Sequence, residues 1–167
     1  MNQAKKTAPK AWTRLLPAAV LLGMALLLQF REAGTPKLLV PFDHLTAGAT
    51  AACLKLTGLP VQRQAAVLSH PGGFSYEIYY RCTGLILVLF LSAALLALPG
   101  GWRKKIKNLI LGAVCVFALN FIRLTSLFYI GVYNPRVFNL FHGILWQIAM
   151  LVFVFAFWFL AMRRAKA

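Results

Sequence analysis

The chain has 167 residues, of which 60% are hydrophobic and 13% are charged. Three acidic residues stand against eighteen lysines and arginines, which gives a net charge of +15. A soluble domain of this length is about half apolar and about a quarter charged, and it cannot bury such a surplus of hydrophobic side chains. The composition therefore excludes an ordinary water-soluble enzyme and a disordered basic tail.

Most of the basic residues lie in three short clusters at the edges of long apolar runs. A nucleic-acid-binding face would instead collect its charge on one folded surface among polar neighbours, so we expect no nucleic-acid partner. Clusters that flank apolar runs are typical of membrane topology signals. The three clusters are Lys5, Lys6, Lys10 and Arg14; Arg103, Lys104, Lys105 and Lys107; and Arg163, Arg164 and Lys166.

Four segments are long and apolar enough to cross a bilayer, which takes roughly 17–25 residues. They cover about residues 12–30, 82–98, 108–130 and 141–162. The first resembles a signal peptide, but no small-x-small cleavage site follows it promptly, so we expect a retained anchor. The sequence therefore predicts an all-α integral membrane protein, a four-transmembrane-helix bundle that forms a single membrane domain over residues 1–167.

The basic clusters also predict the orientation of the chain. They lie at the N-terminus, after the second span and at the C-terminus, so the positive-inside rule places both termini and the 99–107 loop in the cytoplasm. The segment 31–81 and the 131–140 loop are then extracytoplasmic.

The extracytoplasmic segment is too patterned to be a free linker. Apolar residues recur at helical spacing up to a stop at Gly58 and Pro60, which predicts a small amphipathic helix on the membrane or over the bundle. Two strand-like runs follow, Val61–Leu68 and Phe74–Tyr80, and predict a hairpin that leads directly into Cys82. The helical apolar residues are Phe42, Leu45, Ala49, Ala52, Cys53 and Leu56.

Several polar residues lie inside or at the ends of the predicted spans, where an ionisable group costs at least ~2.5 kcal/mol on insertion scales. Asn120 and Arg123 share one helix face of the third span. Cys82 opens the second span and His142 opens the fourth. The predicted topology brings Cys82, Arg123 and His142 to one outer-leaflet level, and a reversed topology would still keep them together.

Each of these residues also has a structural explanation. Cys82 suits a packing role or a disulfide with Cys53 in an oxidising compartment. His142 suits an interfacial hydrogen bond, and Arg123 could extend its charge toward the interface. Asn120 suits either of two roles, a hydrogen bond between helices or the support of a site.

Together, the thiol, the imidazole and the guanidinium suit acyl transfer through a thiol. Cys82 would be the nucleophile once ionised, and His142 would take and return a proton. Arg123 would stabilise the thiolate or the oxyanion of the tetrahedral intermediate. Because the sequence has neither a carboxylate pair nor metal-ligand spacing, we predict no metal and no cofactor.

Three stretches of the chain then resemble a known family. They are Gly72–Gly84, Leu119–Gly131, and Phe138–His142 with Trp146. The order Cys-x-Gly, Asn-x-x-Arg and His in successive membrane segments resembles the exosortase/archaeosortase family, with the greatest similarity to its short branch, exosortase H. The resemblance covers about residues 40–162.

The resemblance implies a transpeptidase or protease of the bacterial cytoplasmic (inner) membrane whose active site faces the periplasm or exterior. Its expected partners are membrane-anchored proteins with a C-terminal sorting helix, together with a lipid or glycolipid acceptor. Carried over to this chain, Cys82 would be the nucleophile, Arg123 the stabilising cation and His142 the acid/base. Asn120 would be a supporting residue.

Two other functions remain open at this point. The chain could be a non-enzymatic membrane subunit or small transporter, with Arg123 and Asn120 lining a polar pathway. It could also be a thiol-dependent lipid acyltransferase. A transporter would tolerate Cys82→Ala, whereas either enzyme would lose activity, and only the peptidase would leave a substrate protein unprocessed at its C-terminus.

Overall fold

The structure is a computed structural model that describes residues 12–30 and 36–166. The predicted basic residues Lys5, Lys6 and Lys10 and the chain just after the first apolar run lie outside the described residues. The described part is mostly helical. Its elements are α1 (Trp12–Phe30), α2 (Val40–Leu56), β1 (Gln62–Gln64), β2 (Val67–Ser69), β3 (Ser75–Glu77), α3 (Leu85–Ala97), α4 (Trp102–Tyr133), α5 (Pro135–Leu140) and α6 (Trp146–Lys166), with a 3₁₀ turn at Tyr80–Cys82 and a π-helical segment at Phe141–Leu145.

Two of the helices are long and apolar enough to span a bilayer. They are α4, with 32 residues, and the 30-residue helical run Pro135–Arg164 that includes α5 and most of α6. The apolar part of α1, Leu15–Phe30, and helix α3 are shorter. At about 1.5 Å per residue, α3 is about 20 Å long, against about 30 Å for the hydrocarbon core. The third and fourth predicted spans thus lie in sufficiently long helices, while the count of four spans stays a prediction.

Helix α3 begins later than the predicted span at 82–98. Gly84 precedes its first residue with φ +82°, a left-handed conformation that glycine adopts readily. The chain leaves the 3₁₀ turn at this glycine and enters the helix at Leu85. Cys82 consequently lies in a turn before the helix and not inside it.

The helices pack around an apolar core in which α3 contacts α1, α4 and α6. Buried Leu91, Val116 and Met150 belong to this core. Helix α4 approaches closely at Gly112, where an added Cβ would lie 2.9 Å from the Leu91 side chain. At the other end of α3, the Lys105 ammonium donates a hydrogen bond to the carbonyl of Leu96, which satisfies one of the carbonyls that a helix end leaves open.

The small helix predicted within the segment 31–81 is present as α2, but it packs through a different face from the one predicted. The buried side chains include Ala47, Ala51 and Leu54, and they pack with α4 and the sheet. Leu45 and Leu56 from the predicted face are 68% and 89% exposed. The two alanines let the helix backbone come close to its neighbours, which the larger leucines would prevent.

The predicted hairpin exists, but its first strand is folded back on itself. Antiparallel β1, β2 and β3 form one sheet in sequence order. Gln64 pairs with Val67, so Ala65, with φ 55°, and Ala66 form a two-residue turn that divides the run Val61–Leu68. This turn lacks the glycine or asparagine that marks such turns in a sequence. The second turn lies where it was expected, because Ser69 pairs with Ser75.

The sheet is attached to the C-terminal half of α4. The Tyr76 hydroxyl donates a hydrogen bond of 3.0 Å to the carbonyl of Leu124, and burial raises the pKa of Tyr76. Leu68 and Ile78 are fully buried in the same cluster as Leu124 and Phe128. This second core holds the segment that leads from β3 to Cys82 against α4.

Candidate active site

Cys82 is held in a tightly bonded turn. Its amide donates to the Tyr79 carbonyl at 2.6 Å, and the Thr83 hydroxyl donates to the Tyr80 carbonyl at 2.7 Å. The Tyr80 hydroxyl donates to the carbonyl of Leu28 at 2.9 Å, which joins the turn to α1. Cys82 itself is 5% exposed. The Cys82 thiol is therefore buried, and the backbone of the turn that carries it has little conformational freedom.

Asn120 connects this turn to α4. Its Nδ2 donates a hydrogen bond of 2.9 Å to the carbonyl of Cys82. A Cβ on Gly84 would lie 3.2 Å from both Cβ and Cγ of Asn120. Gly84 is thus required for two reasons: its φ is positive, and Asn120 approaches its backbone closely.

Arg123 lies one helical turn beyond Asn120 and is 7% exposed. Its Nη1 donates to Oδ1 of Asn120 at 3.4 Å, a long hydrogen bond. Among the described residues, nothing accepts a hydrogen bond from its Nε. A buried donor without a partner is unfavourable by about 1–3 kcal/mol, and more when it is charged, so this group is suited to an acceptor supplied by a ligand.

The ionisation of the thiol is subject to opposing effects. Burial raises the pKa of Cys82, and the positive charge of Arg123 acts against this increase. The net result is a pKa above that of an ordinary thiol. Cys82 is therefore protonated at rest and requires a base to become a nucleophile.

Tyr79 is a site residue that the sequence analysis missed. Its side chain is 39% exposed and shares a hydrogen bond with the Cys82 side chain, and its ring meets that of Tyr80 edge-to-face at 6.3 Å. The pKa of Tyr79 is raised by the charge of the Cys82 thiolate and by burial. The hydroxyl thus stays protonated and can donate to the sulfur. From the sequence, Tyr79 was expected only as one residue of the predicted strand Phe74–Tyr80.

Asp43 was also missed as a neighbour of the site. It is 3% exposed in α2, a helix that contacts the Tyr80–Cys82 turn, and its charge acts on Cys82 to raise the pKa of the thiol. The signal in the sequence was a single acidic residue within a mostly apolar helix.

His142 lies in the π-helical segment, which carries wider hydrogen-bonded turns than an α-helix and occurs often at functional sites. The ring of Phe138 stacks on the imidazole with a centroid distance of 5.5 Å. The charge of Arg123 acts on both His142 and Cys82. In the part of the chain that the structure describes, His142 makes no hydrogen bond to Cys82. The structure thus brings Cys82, Asn120 and Arg123 together and leaves His142 near Arg123 without direct contact to the thiol.

An aromatic cluster connects His142 to the sheet. Phe74, just before β3, packs edge-to-face against Phe138 at 5.3 Å and against Phe128 at 5.6 Å. Gly131 makes room for this ring, because a Cβ there would lie 2.0 Å from the Cζ atom of Phe74. The positions of the sheet, α4 and the His142 segment are therefore coupled.

Among the described residues, the cysteines form no disulfide and no group of side chains is placed to bind a metal ion. Cys53, Cys82 and Cys115 are all free thiols, so the alternative disulfide between Cys53 and Cys82 is not formed in this structure. Within the described ranges, no three side chains of His, Cys, Asp or Glu gather in a way that could hold a metal ion.

Comparison with known proteins gives one match. A family model described as Transmembrane exosortase (Exosortase_EpsH) matches residues 7–162. This range includes all the strands, the helices α1 to α5, most of α6 and the four predicted site residues. No curated protein and no solved structure shows significant similarity to the chain.

Proposed function

Because the chain belongs to the transmembrane exosortase family, we propose that this membrane protein is a cysteine transpeptidase. It cleaves C-terminal sorting signals of exported proteins through a thioester intermediate and transfers the shortened proteins to a cell-surface acceptor. Cys82 is the nucleophile, His142 the acid/base and Arg123 the cation that stabilises the oxyanion. Asn120 is a positioning residue, since it contacts the carbonyl of Cys82 and not the reacting atoms.

One observation carries this proposal: Asn120 joins the thiol-bearing turn to a buried guanidinium whose Nε has no hydrogen-bond partner in the described part of the chain. A carbonyl oxygen that becomes negative during attack by the thiol is a suitable acceptor for that donor. The interaction gains strength because the surroundings are buried. A packing cysteine would have no need of such a neighbour.

In the first step, the imidazole of His142 takes the proton of the Cys82 thiol, and the sulfur attacks the scissile carbonyl carbon. The S–C bond forms while the C=O π electrons move to the oxygen. The guanidinium of Arg123 then donates a hydrogen bond to this oxyanion. The raised pKa of Cys82 makes the base necessary.

In the second step, the oxyanion collapses and the C–N bond breaks. The imidazolium of His142 gives its proton to the departing amine, so the sorting helix leaves with a new N-terminus. An acceptor amine or hydroxyl then attacks the thioester carbonyl and gives its proton to the His142 imidazole. The C–S bond breaks, and the imidazolium returns that proton to the Cys82 sulfur. If water is the acceptor, the enzyme acts as a protease.

His142 must approach the sulfur for this chemistry. Catalytic hydrogen bonds are often long or absent without substrate and tighten in the substrate complex. The π-helical segment, in which the main-chain hydrogen bonds are less regular, is where we expect this adjustment to occur.

We also propose the orientation and location of the site. The positive-inside rule supports cytoplasmic termini and an active site that faces outward from the cytoplasmic membrane. A protein anchored by one C-terminal helix presents its cleavage point just outside the bilayer, which is the depth proposed for Cys82. The acceptor is a lipid or a cell-surface glycolipid.

The proposed function is tested by Cys82→Ala beside Cys53→Ala in the native cell, with the C-termini of exported proteins measured by mass spectrometry. Cys53 is a matched control, because it is a free thiol in α2 without a proposed role. We expect that only Cys82→Ala leaves exported proteins with their terminal helix attached. If both variants process normally, a membrane subunit or transporter becomes the better explanation. If both fail alike, a structural disulfide is indicated.

A further inference from the structure

We propose that the free edge of strand β3 binds an extended segment of the substrate polypeptide and directs the scissile bond to Cys82. This inference rests on the proposed function, because it assumes a peptide substrate. It adds how the chain recognises that substrate, namely by main-chain hydrogen bonds in the manner of an added strand.

The register of the sheet determines which groups lie at this edge. The His70 amide donates to the Phe74 carbonyl at 2.7 Å, and the Ile78 amide donates to the Ala66 carbonyl at 2.9 Å. Hydrogen-bonded pairs alternate along an antiparallel ladder, so Phe74, Tyr76 and Ile78 use their main-chain groups to bind β2. The N–H and C=O groups of Ser75 and Glu77 therefore point away from β2.

These outward groups are available. Ser75 and Glu77 are both exposed, and no group among the described residues hydrogen bonds to their main chains. The N–H and C=O groups of Ser75 and Glu77 are spaced two residues apart. The main-chain groups that an extended peptide directs to one side have the same spacing, so the two sets can pair. An unpaired strand edge of this kind is a template for another chain.

The edge is also held rigidly. Tyr76, between the two outward residues, is fixed by its hydrogen bond to the Leu124 carbonyl and by its packing against Phe128 at 5.9 Å. Ile78 is fully buried. Because the strand is already ordered, a peptide that binds there loses less of its binding energy to ordering the enzyme.

The strand leads directly to the reacting groups. Tyr79 continues it in an extended conformation, with φ −123° and ψ 165°, and its side chain reaches Cys82. A substrate segment that pairs with Ser75 and Glu77 therefore continues toward the thiol and the unpartnered Nε of Arg123. Since a sorting signal runs from the exterior into the membrane, as β3 does toward α3, the substrate pairs parallel to β3.

Substrate is favoured over a second copy of the chain as the occupant. An edge of three residues makes few hydrogen bonds, and the net contribution of each is too small to hold two copies together. A substrate also has to reach the thiol next to this edge, so a few bonds suffice to orient it there.

The first test uses a photo-crosslinking residue, benzoylphenylalanine, in place of Ser75 or Glu77. The chain also carries Cys82→Ala so that the substrate stays intact, and the matched control positions are Gln62 and Gln64, which are exposed on β1 at the opposite side of the sheet. We expect adducts with unprocessed exported proteins, in the native cell, several-fold more often from β3 than from β1. Equal yields from both strands, or adducts between two copies of the chain, would overturn the inference.

The second test removes an edge donor. Ser75→Pro and Glu77→Pro delete an outward N–H without touching the bonds to β2, and proline is tolerated on edge strands. We expect each to slow C-terminal processing about two- to tenfold, the worth of one hydrogen bond. The control is Arg63→Pro, because Arg63 pairs with Leu68, whose main chain binds β3, so its own N–H also faces outward. Its effect is measured relative to Arg63→Ala, because both variants lose the hydrogen bond from the Arg63 guanidinium to the His44 carbonyl.

The outcomes separate this inference from the proposed function. If Arg63→Pro slows processing as much as the β3 variants, or if the β3 variants process like the native protein, strand docking is wrong. The transpeptidase still stands in that case, provided that Cys82→Ala abolishes processing. If Cys82→Ala processes normally, the proposed function itself fails.

Discussion

Arg123 has a buried charge with few hydrogen-bond partners among the described residues. Its guanidinium is buried, its one hydrogen bond within the described residues goes to Asn120, and its Nε has no partner. A charge in this state is destabilising unless the site uses it. We relate this local cost to the oxyanion, because a donor that is already in place needs no reorganisation when charge develops.

The geometry of the guanidinium predicts the effect of a conservative change at this position. Arg123→Lys keeps the charge but replaces the planar fork by a single ammonium, so we expect processing to fall about 10²-fold, as on loss of an oxyanion donor. The measurement is the processed fraction of exported proteins over time. Arg136→Lys, at an exposed arginine of α5, serves as the control and should process normally. Full activity of Arg123→Lys would mean that charge alone suffices.

Gly58 and Gly84 have similar positive φ values, so substituting each of them separates the effect of backbone strain from the effect of the contact with Asn120. Gly84→Ala and Gly58→Ala both place a side chain at φ near +80°, but only the Cβ at Gly84 meets Asn120. We expect the strain to lower the stability of both variants by about 1–2 kcal/mol, measured by thermal unfolding in detergent. Only Gly84→Ala should also lose processing. Equal processing by the two variants would argue against a positioning role for Asn120.

The surroundings of Cys82 predict how its alkylation depends on pH. Arg123 and the Tyr79 hydrogen bond both lower the pKa of Cys82, against the larger effect of burial. Arg123→Gln and Tyr79→Phe should therefore each raise this pKa and move the alkylation midpoint to higher pH. The experiment measures iodoacetamide labelling in a Cys53→Ala/Cys115→Ala protein, and Tyr133→Phe, at an exposed tyrosine, is the control. A shift to lower pH would contradict the charge assignment.

At the scale of elements, the site depends on how the sheet is attached to α4. Gly131→Ala would place a Cβ within 2.0–2.4 Å of the Phe74 ring, which must then leave its place between Phe128 and Phe138. We expect loss of thermal stability and of processing, because the ring contacts also support the His142 segment. Gly23→Ala, which has open space around it in α1, should be neutral or slightly stabilising. Rescue of Gly131→Ala by Phe74→Ala would locate the damage at this contact.

The elements also show how far the sequence could predict the structure. Periodic apolar residues and the Gly58 stop are local signals, and helix α2 follows them. The face that packs depends on how closely two backbones approach, which alanines permit and spacing alone does not reveal. The turn at Ala65 and Ala66 is imposed by pairing of the neighbouring strands, so no glycine marks it.

For the site, the prediction was strongest at polar and charged residues, because burying them in an apolar segment costs free energy. Asn120 and Arg123 were identified on one helix face, and the structure joins them by a hydrogen bond. Tyr79 was missed because a tyrosine at a membrane interface is ordinary and its role depends on one contact with Cys82. The π-helical segment around His142 was also missed, because such segments are rare and the apolar pattern does not distinguish them from an α-helix.

At the scale of the whole molecule, helix α4 belongs to two cores. Its Val116 packs in the core of the helix bundle, and its Leu124 and Phe128 pack under the sheet and α2. Asn120 and Arg123 lie between these positions. The site is thus formed where the apolar helix bundle meets the cap made of α2 and the sheet, and movement of either part against the other changes the surroundings of the thiol.

The hydrogen bonds of Cys82 also determine when the site can exist during biosynthesis. Leu28, which binds the Tyr80 hydroxyl, is translated before the cysteine, whereas Asn120 and Arg123 are translated after it. Chains are made from the N-terminus, at about 5–20 residues per second. A nascent chain that ends within α3 therefore carries the Cys82 thiol but lacks the guanidinium of Arg123. In the proposed mechanism the nucleophile is complete only when α4 and the His142 segment have both followed, so we expect incomplete chains to be inactive toward other proteins in the same membrane.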